Sequence, residues 1–186
     1  MKQEYYFKTY KFKVTHVVDG DTVKGEFLIP KWWSFSPAHV PDRIRFIGLN
    51  APEMTGGDSD AAERAKLFVF SHIGDKTIRV TIAIRKHSGD WKRGDFSRVL
   101  GILYPPYSRV SLNERLLRQG HARLFMLDEW IPAKTVSVFK AAEAEAKRKR
   151  RGIWNVPQKK AAKKHTWWFF WLTILCLSAI FVFLLS

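Results

Sequence analysis

The feature that most restricts the fold is the alternation of apolar and polar residues near the start of the chain. Residues 5–18 alternate with the period of two that is typical of a half-buried β-strand. The Asp19–Gly20 pair that follows is a turn signal, and residues 22–29 have the composition of a returning strand. The pattern predicts that the fold begins with an antiparallel hairpin.

Later segments add strands first and helices afterwards. Strands are predicted over residues 43–49, 76–85 and 96–104, and helices over residues 61–72, 111–119 and 133–151, each helix followed by a glycine. This order favours a small antiparallel β-barrel with about three helices packed outside it, in the mainly β or α+β class.

Residues 30–41 contain three prolines, which interrupt a strand ladder, so they are predicted to form a loop. This loop carries Trp32, Trp33 and Phe35. Exposed aromatic rings can stack on nucleic-acid bases or touch lipid headgroups. Packing of these rings against the barrel is the third alternative.

The charge of the chain points to a polyanionic partner. The net charge is +15 and the pI is about 10.1, which suits nucleic acid or an anionic membrane, although a merely basic soluble domain is an alternative. The single cysteine, Cys176, excludes an intrachain disulfide and a cysteine-based zinc site. The histidines show no paired metal spacing, and no serine lies in a nucleophile elbow.

An apolar stretch begins at Trp167 and ends at Ser186, twenty residues without a charge. At about 1.5 Å per residue a helix of this length spans the hydrocarbon core of about 30 Å, and three tryptophans at its start suit an interfacial belt. Lysines precede it, so the positive-inside rule places the folded domain in the cytoplasm. We expect a domain over residues 1–156, a basic linker over residues 157–166 and a tail anchor in a lipid bilayer over residues 167–186. A buried core helix is the alternative.

Two short segments carry candidate chemistry. The first places Asp19 and Asp21 on either side of a glycine, and the second places Arg45, Asn50 and Glu53 at the end of another apolar run. Hard divalent cations bind several oxygen ligands, and an arginine nearby suits a phosphate held on such a metal. A tight Asp–Gly hairpin needs no metal, so the first segment alone is consistent with either a metal site or a simple turn.

The sequence blocks VVDGDTV, RIRFIGLNAPE, SRVLGILY, NERLLRQGHARL and EAEAKRKRRGIW follow one another in an order that resembles the staphylococcal nuclease (thermonuclease-like) family. The resemblance covers roughly residues 11–154. It implies a five-stranded OB-fold barrel with three helices. It also implies a Ca²⁺-dependent nuclease, a phosphodiesterase that hydrolyses DNA and RNA with low sequence specificity.

The resemblance also implies a set of metal ligands. Asp21 matches a direct calcium ligand, and Asp19 lies close by in the same turn. Asn50 stands where the family usually has a second aspartate, and Ala51 would offer its backbone carbonyl. The neutral amide of Asn50 removes one negative charge, so weaker calcium binding is expected.

The catalytic residues implied by the resemblance are Arg45, Glu53 and Arg98. Glu53 matches the glutamate that orients or deprotonates the attacking water, and the two arginines match those that hold the scissile phosphate. Each has a simpler alternative: Arg45 as a strand-end surface charge, Glu53 as a loop cap and Arg98 as a partner of Asp95.

Two further departures concern the substrate. The tyrosines that often flank the nucleotide in the family are absent from residues 124–127, and the segment holding the tryptophans lengthens the gap between the two site segments. The leading hypothesis is a membrane-anchored nuclease. One alternative is a nucleic-acid-binding or scaffolding module that has lost efficient catalysis, and another is a protein whose basic surface binds anionic lipid. No protein partner is implied.

Overall fold

A computed structural model describes residues 4–54 and 59–155. Five strands form a closed barrel in the order β1-β2-β3-β6-β5, consistent with an OB-fold. These strands are β1 (Tyr5–Val17), β2 (Thr22–Lys31), β3 (Ser34–Phe46), β5 (Thr77–Arg85) and β6 (Val99–Tyr104). A separate two-stranded ladder joins β4 (Leu49–Asn50) to β7 (Arg123–Leu124).

In the part of the chain that the structure describes, three α-helices accompany the barrel, as expected: α1 (Ser59–Ile73), α2 (Leu112–Gln119) and α3 (Ala133–Arg148). The end of α2 is set by Gly120, which adopts a left-handed conformation and donates its N–H to the carbonyls of Leu116 and Leu117. Ser111 caps the N-terminus of α2, because its hydroxyl accepts the N–H of Glu114.

Strand alternation fills the barrel interior. In β5 the four residues Ile78, Val80, Ile82 and Ile84 all point inward and are buried, as their period of two predicts. Phe12 of β1 meets Phe27 of β2 edge to face with ring centroids 4.8 Å apart. The core therefore holds the hairpin that begins the chain against the later strands.

The β1–β2 turn packs closely against α1 because Gly20 has no side chain. A Cβ at this position would lie 2.6 Å from the Cβ of Ala65 in α1 and 2.7 Å from the Cβ of Ala51. Both distances are shorter than van der Waals contact, so only glycine allows this approach. The turn that carries Asp19 and Asp21 is thus fixed between a helix and the segment after β4.

The predicted loop over residues 30–41 is wrong. These residues continue β2 and β3 as a hairpin, with Ile29 opposite Ala38 and Lys31 opposite Ser34. Proline is tolerated here because β3 pairs with β6 only over its last three residues, so this end of β3 is an edge. The register also shifts between Ile29 and Lys31, which leaves Pro30 unpaired.

The barrel is also not wholly antiparallel, because β3 and β6 are parallel. The chain reaches β6 through α1 and β5, and this crossover allows the parallel pairing. The start of β6 was predicted too early, at residue 96, because residues 95–97 form a 3₁₀ turn instead.

The predicted membrane span over residues 167–186 lies outside the described residues. Within residues 4–54 and 59–155, no helix is both long enough and apolar enough to cross a bilayer.

The buried side chain of Asn113 ties α2 to the barrel. Its Nδ2 donates to the carbonyls of Ile47 at 3.0 Å and Gly101 at 3.3 Å, and its Oδ1 accepts the N–H of Leu103 at 3.0 Å. All of its polar atoms are therefore satisfied without water.

Replacing this amide with a carboxylate tests the connection. Asn113→Asp removes the donor to two buried carbonyls and adds a buried charge, so the free energy of unfolding should fall by about 3 kcal/mol. Urea unfolding of both proteins measures the change. The exposed Asn155→Asp is the matched control, and equal stability of the two variants would contradict this role for Asn113.

Candidate active site

One cleft of about 420 Å³ collects all the residues singled out in the sequence. Its lining includes the two predicted arginines, the predicted glutamate and all four predicted metal ligands: Arg45, Arg98, Glu53, Asp19, Asp21, Asn50 and Ala51. They come from the β1–β2 turn, the end of β3, the segment around β4 and the start of β6. We refer to it below as the site cleft.

Asp21 is the structural centre of the site cleft and is only 2% exposed. Its Oδ2 accepts the N–H of Ala51 at 2.8 Å, and its Oδ1 accepts the hydroxyl of Thr22 at 3.1 Å and pairs with Arg45. Its backbone carbonyl accepts the N–H of Phe46 at 2.9 Å. One residue thereby joins the two segments that the sequence separates.

Asp19 completes the turn beside it. Its Oδ1 accepts the N–H of Asp21 at 3.0 Å, an interaction that fixes the carboxylate toward the site cleft. Burial raises the pKa of Asp19 above its ordinary value of 3.8, and the nearby charge of Arg45 opposes this only in part. Burial thus disfavours the charged form of this carboxylate.

Arg45 reaches the site cleft because β2 and β3 pair with Thr22 opposite Arg45. Its guanidinium contacts the side chains of both Asp21 and Asn50. Burial lowers the pKa of Arg45, and repulsion from Arg98 lowers it further. Two guanidinium groups close enough to repel each other favour the binding of an anion such as phosphate between them.

Arg98 is placed by the 3₁₀ turn over Asp95–Ser97. Its Nε donates to the backbone carbonyl of Asp95 at 3.0 Å. Asp95 is therefore a partner of Arg98, as the alternative drawn from the sequence supposed, but through its backbone oxygen. This contact leaves the rest of the guanidinium fork available to an anion.

Phe96 also lines the site cleft, and the sequence reasoning missed it. Its side chain is 88% exposed, its φ is +56°, and the Cζ of Arg98 lies 5.4 Å from the ring centroid. An exposed aromatic residue in a left-handed conformation is uncommon. The sequence feature that could have identified Phe96 is its position, directly after Gly94–Asp95 and two residues before Arg98.

Glu53 lies at the open edge of the site cleft, and its side chain is exposed to solvent. Pro52 precedes it, which restricts the backbone. Glu53 and Arg45 both line the site cleft. A carboxylate in this position can accept a proton from a water molecule in the site cleft.

The donor set of the site cleft suits a hard divalent cation. Asp19, Asp21 and Asn50 carry side-chain oxygens and Ala51 a backbone carbonyl, all of which are ligand types of calcium. In this structure Arg45 contacts the side-chain oxygens of Asp21 and Asn50. Among the described residues no cluster of three or more histidine, cysteine, aspartate or glutamate side chains is arranged to hold a metal. The two carboxylates, the amide and the carbonyl therefore stay a predicted set of cation ligands, now placed in one cleft.

Comparison with known proteins gives a family match. A family model described as staphylococcal nuclease homologue matches residues 43–156, which is more than half of the chain. The chain belongs to this family. The match contains Arg45, Asn50, Glu53 and Arg98, whereas the β1–β2 turn lies before it.

Three curated proteins are similar along most of this chain. Endonuclease YhcR of Bacillus subtilis is 27% identical over 153 residues, 78% of this chain but only 11% of YhcR. Endonuclease Htp3 of Saprolegnia parasitica is 23% identical over 172 residues, 85% of this chain and 76% of Htp3. An uncharacterized protein of Methanocaldococcus jannaschii is 25% identical over 167 residues, 78% of this chain and 72% of that protein. At the level of the family, the predicted enzyme class, a nuclease, is confirmed.

The raised pKa of Asp19 predicts how stability depends on pH. In the presence of a chelator, the folded protein holds the proton of Asp19 more tightly than the unfolded chain does. Stability contributed at this residue therefore falls as pH rises through and above 3.8. Asp19→Asn keeps the Oδ1 acceptor but removes the charge, so it should be more stable than the parent at neutral pH.

Urea unfolding of parent and variant over a range of pH, with chelator, measures this difference. It should vanish once the pH is below 3.8, where the carboxyl is neutral in both states. A variant that is less stable than the parent at neutral pH would contradict the account of Asp19.

Proposed function

We propose that the chain hydrolyses phosphodiester bonds of DNA or RNA, with a divalent cation such as Ca²⁺ and with low sequence specificity. The observation that carries the proposal is the convergence of two carboxylates, two guanidinium groups and an exposed glutamate on one cleft. Each group has a simpler role when considered alone. Together they provide the charges that phosphodiester cleavage requires, in a chain with a net charge of +15.

In this proposal the substrate phosphate lies between Arg45 and Arg98. Their guanidinium groups donate to the non-bridging oxygens and neutralise the charge that grows on the phosphorus as water attacks. Glu53 accepts the proton of the attacking water or orients that water. As the new bond from phosphorus to the water oxygen forms, the bond to the leaving oxygen breaks, and the leaving oxygen takes a proton from solvent.

Asp19, Asp21 and Asn50 would hold the cation, with the carbonyl of Ala51 close by. When bound, calcium would polarise the phosphate and position the water. Arg45 pairs with Asp21 and donates to Asn50 in the structure, so its guanidinium balances the buried charge of Asp21. The backbone N–H of Ala51 and the hydroxyl of Thr22 hold Asp21 in place.

A second candidate is a nucleic-acid-binding or scaffolding module with weak catalysis. The observation that favours it is Asn50, a neutral side chain in contact with Arg45 rather than a second carboxylate opposite Asp21. A binding module would need the positive charge of the surface but not Glu53 at the edge of the site cleft. The activity of a Glu53 variant therefore distinguishes the two candidates.

We also propose that residues 167–186 anchor the protein in a lipid bilayer with the folded domain on the cytoplasmic side. Support comes from the uncharged stretch and the lysines that precede it. Protease added on the cytoplasmic side of the membrane should digest the domain, whereas protease added on the opposite side should not. Protection of the domain on that side would contradict the orientation.

Cleavage assays test the nuclease proposal. The full chain should cleave single- and double-stranded DNA or RNA with Ca²⁺ and not with chelator. Glu53→Gln and Arg98→Lys should each lower kcat/KM by about 10²–10⁴-fold, because they remove proton transfer and the bidentate phosphate contact respectively. Arg109→Lys, an exposed change outside the site cleft, is the control. Cleavage that persists at the parent rate in Glu53→Gln would contradict the mechanism.

Replacement of Asn50 tests the cation site. Asn50→Asp restores a second negative charge beside Asp21, so calcium should bind about tenfold more tightly. Isothermal titration calorimetry measures the affinity directly, and Asn155→Asp serves as a charge-matched control. An affinity that is unchanged or weaker would mean that Asn50 does not contribute to the cation site.

A further inference from the structure

The β2–β3 hairpin ends in three exposed aromatic residues. The exposed fractions are 93% for Trp32, 68% for Trp33 and 112% for Phe35. We call these three residues the aromatic tip. Packing against the barrel, one of the alternatives drawn from the sequence, is thereby excluded for them. Adjacent large aromatic side chains that are mostly exposed mark a surface that contacts something else.

A groove of about 610 Å³ lies beside the aromatic tip. It is lined by apolar residues, among them Leu28, Ile29 and Phe35, and by three lysines: Lys8, Lys11 and Lys31. We call it the lysine groove. No carboxylate is among the described residues that line it. An apolar surface bordered by cations complements a ligand that is itself apolar with an anionic rim.

The position of the aromatic tip separates it from the site cleft. The same two strands carry both features, with Thr22 opposite Arg45 at the cleft and Lys31 opposite Ser34 at the tip. At about 3.3 Å per residue, the nine steps from Thr22 to Lys31 span about 30 Å along the strand. A phosphate held in the site cleft therefore lies far from the aromatic tip, so the tip is not needed to place the scissile bond.

The chemistry of the aromatic tip suits a membrane interface better than nucleic-acid bases. Trp32 and Trp33 meet edge to face, with centroids 5.5 Å apart and planes at 82°, so the two rings do not form a common platform for successive bases. Tryptophan prefers the headgroup region of a bilayer, and lysines beside it attract anionic lipids. The uncharged stretch over residues 167–186 independently predicts a membrane for this chain.

We propose that the aromatic tip and the lysine groove bind the surface of a bilayer containing anionic lipid. Trp32, Trp33 and Phe35 enter the headgroup region, and Lys8, Lys11 and Lys31 contact the lipid phosphates. The β2–β3 hairpin then contacts the membrane, and the site cleft lies about 30 Å away from this contact. This inference does not depend on the nuclease activity, because no residue of the site cleft takes part.

A single fluorescent label tests the proposal in the full chain. Cys176→Ser removes the native cysteine, and Ser34→Cys then places an environment-sensitive fluorophore at the aromatic tip without removing an aromatic residue. Tyr107→Cys, in the exposed loop after β6, carries the control label. The protein is added to vesicles of phosphatidylcholine alone or with about 30 mol % phosphatidylserine, some of them containing brominated acyl chains.

The Ser34→Cys label should shift to shorter wavelength and be quenched by brominated lipid in the phosphatidylserine vesicles, while the Tyr107→Cys label stays aqueous. Lys8→Glu with Lys11→Glu should reduce this signal at least about tenfold. Lys134→Glu with Lys140→Glu, two exposed lysines on α3 that change the net charge equally, should not.

Three results would overturn the proposal. The first is a tip label that stays aqueous in both kinds of vesicle. The second is an equal response of the two labels, which would mean nonspecific adsorption of the domain. The third is a tip label that responds to a single-stranded oligonucleotide without lipid and not to phosphatidylserine vesicles, which would assign the aromatic tip to nucleic acid.

Discussion

The buried carboxylate of Asp21 is the interaction on which the site depends. It accepts the N–H of Ala51 and pairs with Arg45, so a turn after β1 is joined to a segment thirty residues later. Gly20 makes this possible because the turn lies in direct contact with Ala51 and Ala65. A buried charge with defined partners is costly to displace, and it keeps the ligands and the arginines in one arrangement.

Much of the fold and the site followed from local patterns. Alternation identified β1 and β5, glycine identified the end of α2, and the ordered sequence blocks identified the family and all seven residues of the site cleft that were proposed. These features depend on near neighbours or on motifs with fixed spacing. Their prediction needs no knowledge of which strand pairs with which.

The errors arose where tertiary pairing decides the outcome. The prolines of residues 30–41 indicated a loop, but an edge position in the barrel tolerates them, and this is visible only once β3 is known to pair with β6 over three residues. The parallel β3–β6 pairing likewise depends on barrel closure. Phe96 was missed because its position in the site cleft comes from a left-handed backbone that no periodic pattern reveals.

The central claim is that two distant segments form one catalytic unit, and a double-mutant cycle tests it most directly. kcat/KM for cleavage of DNA with Ca²⁺ would be measured for the parent, Asp21→Ala, Glu53→Gln and the double variant. Residues that act in one transition state give strongly non-additive losses, so the double variant should be about as active as the worse single variant. Losses that simply multiply would contradict a single site built from both segments.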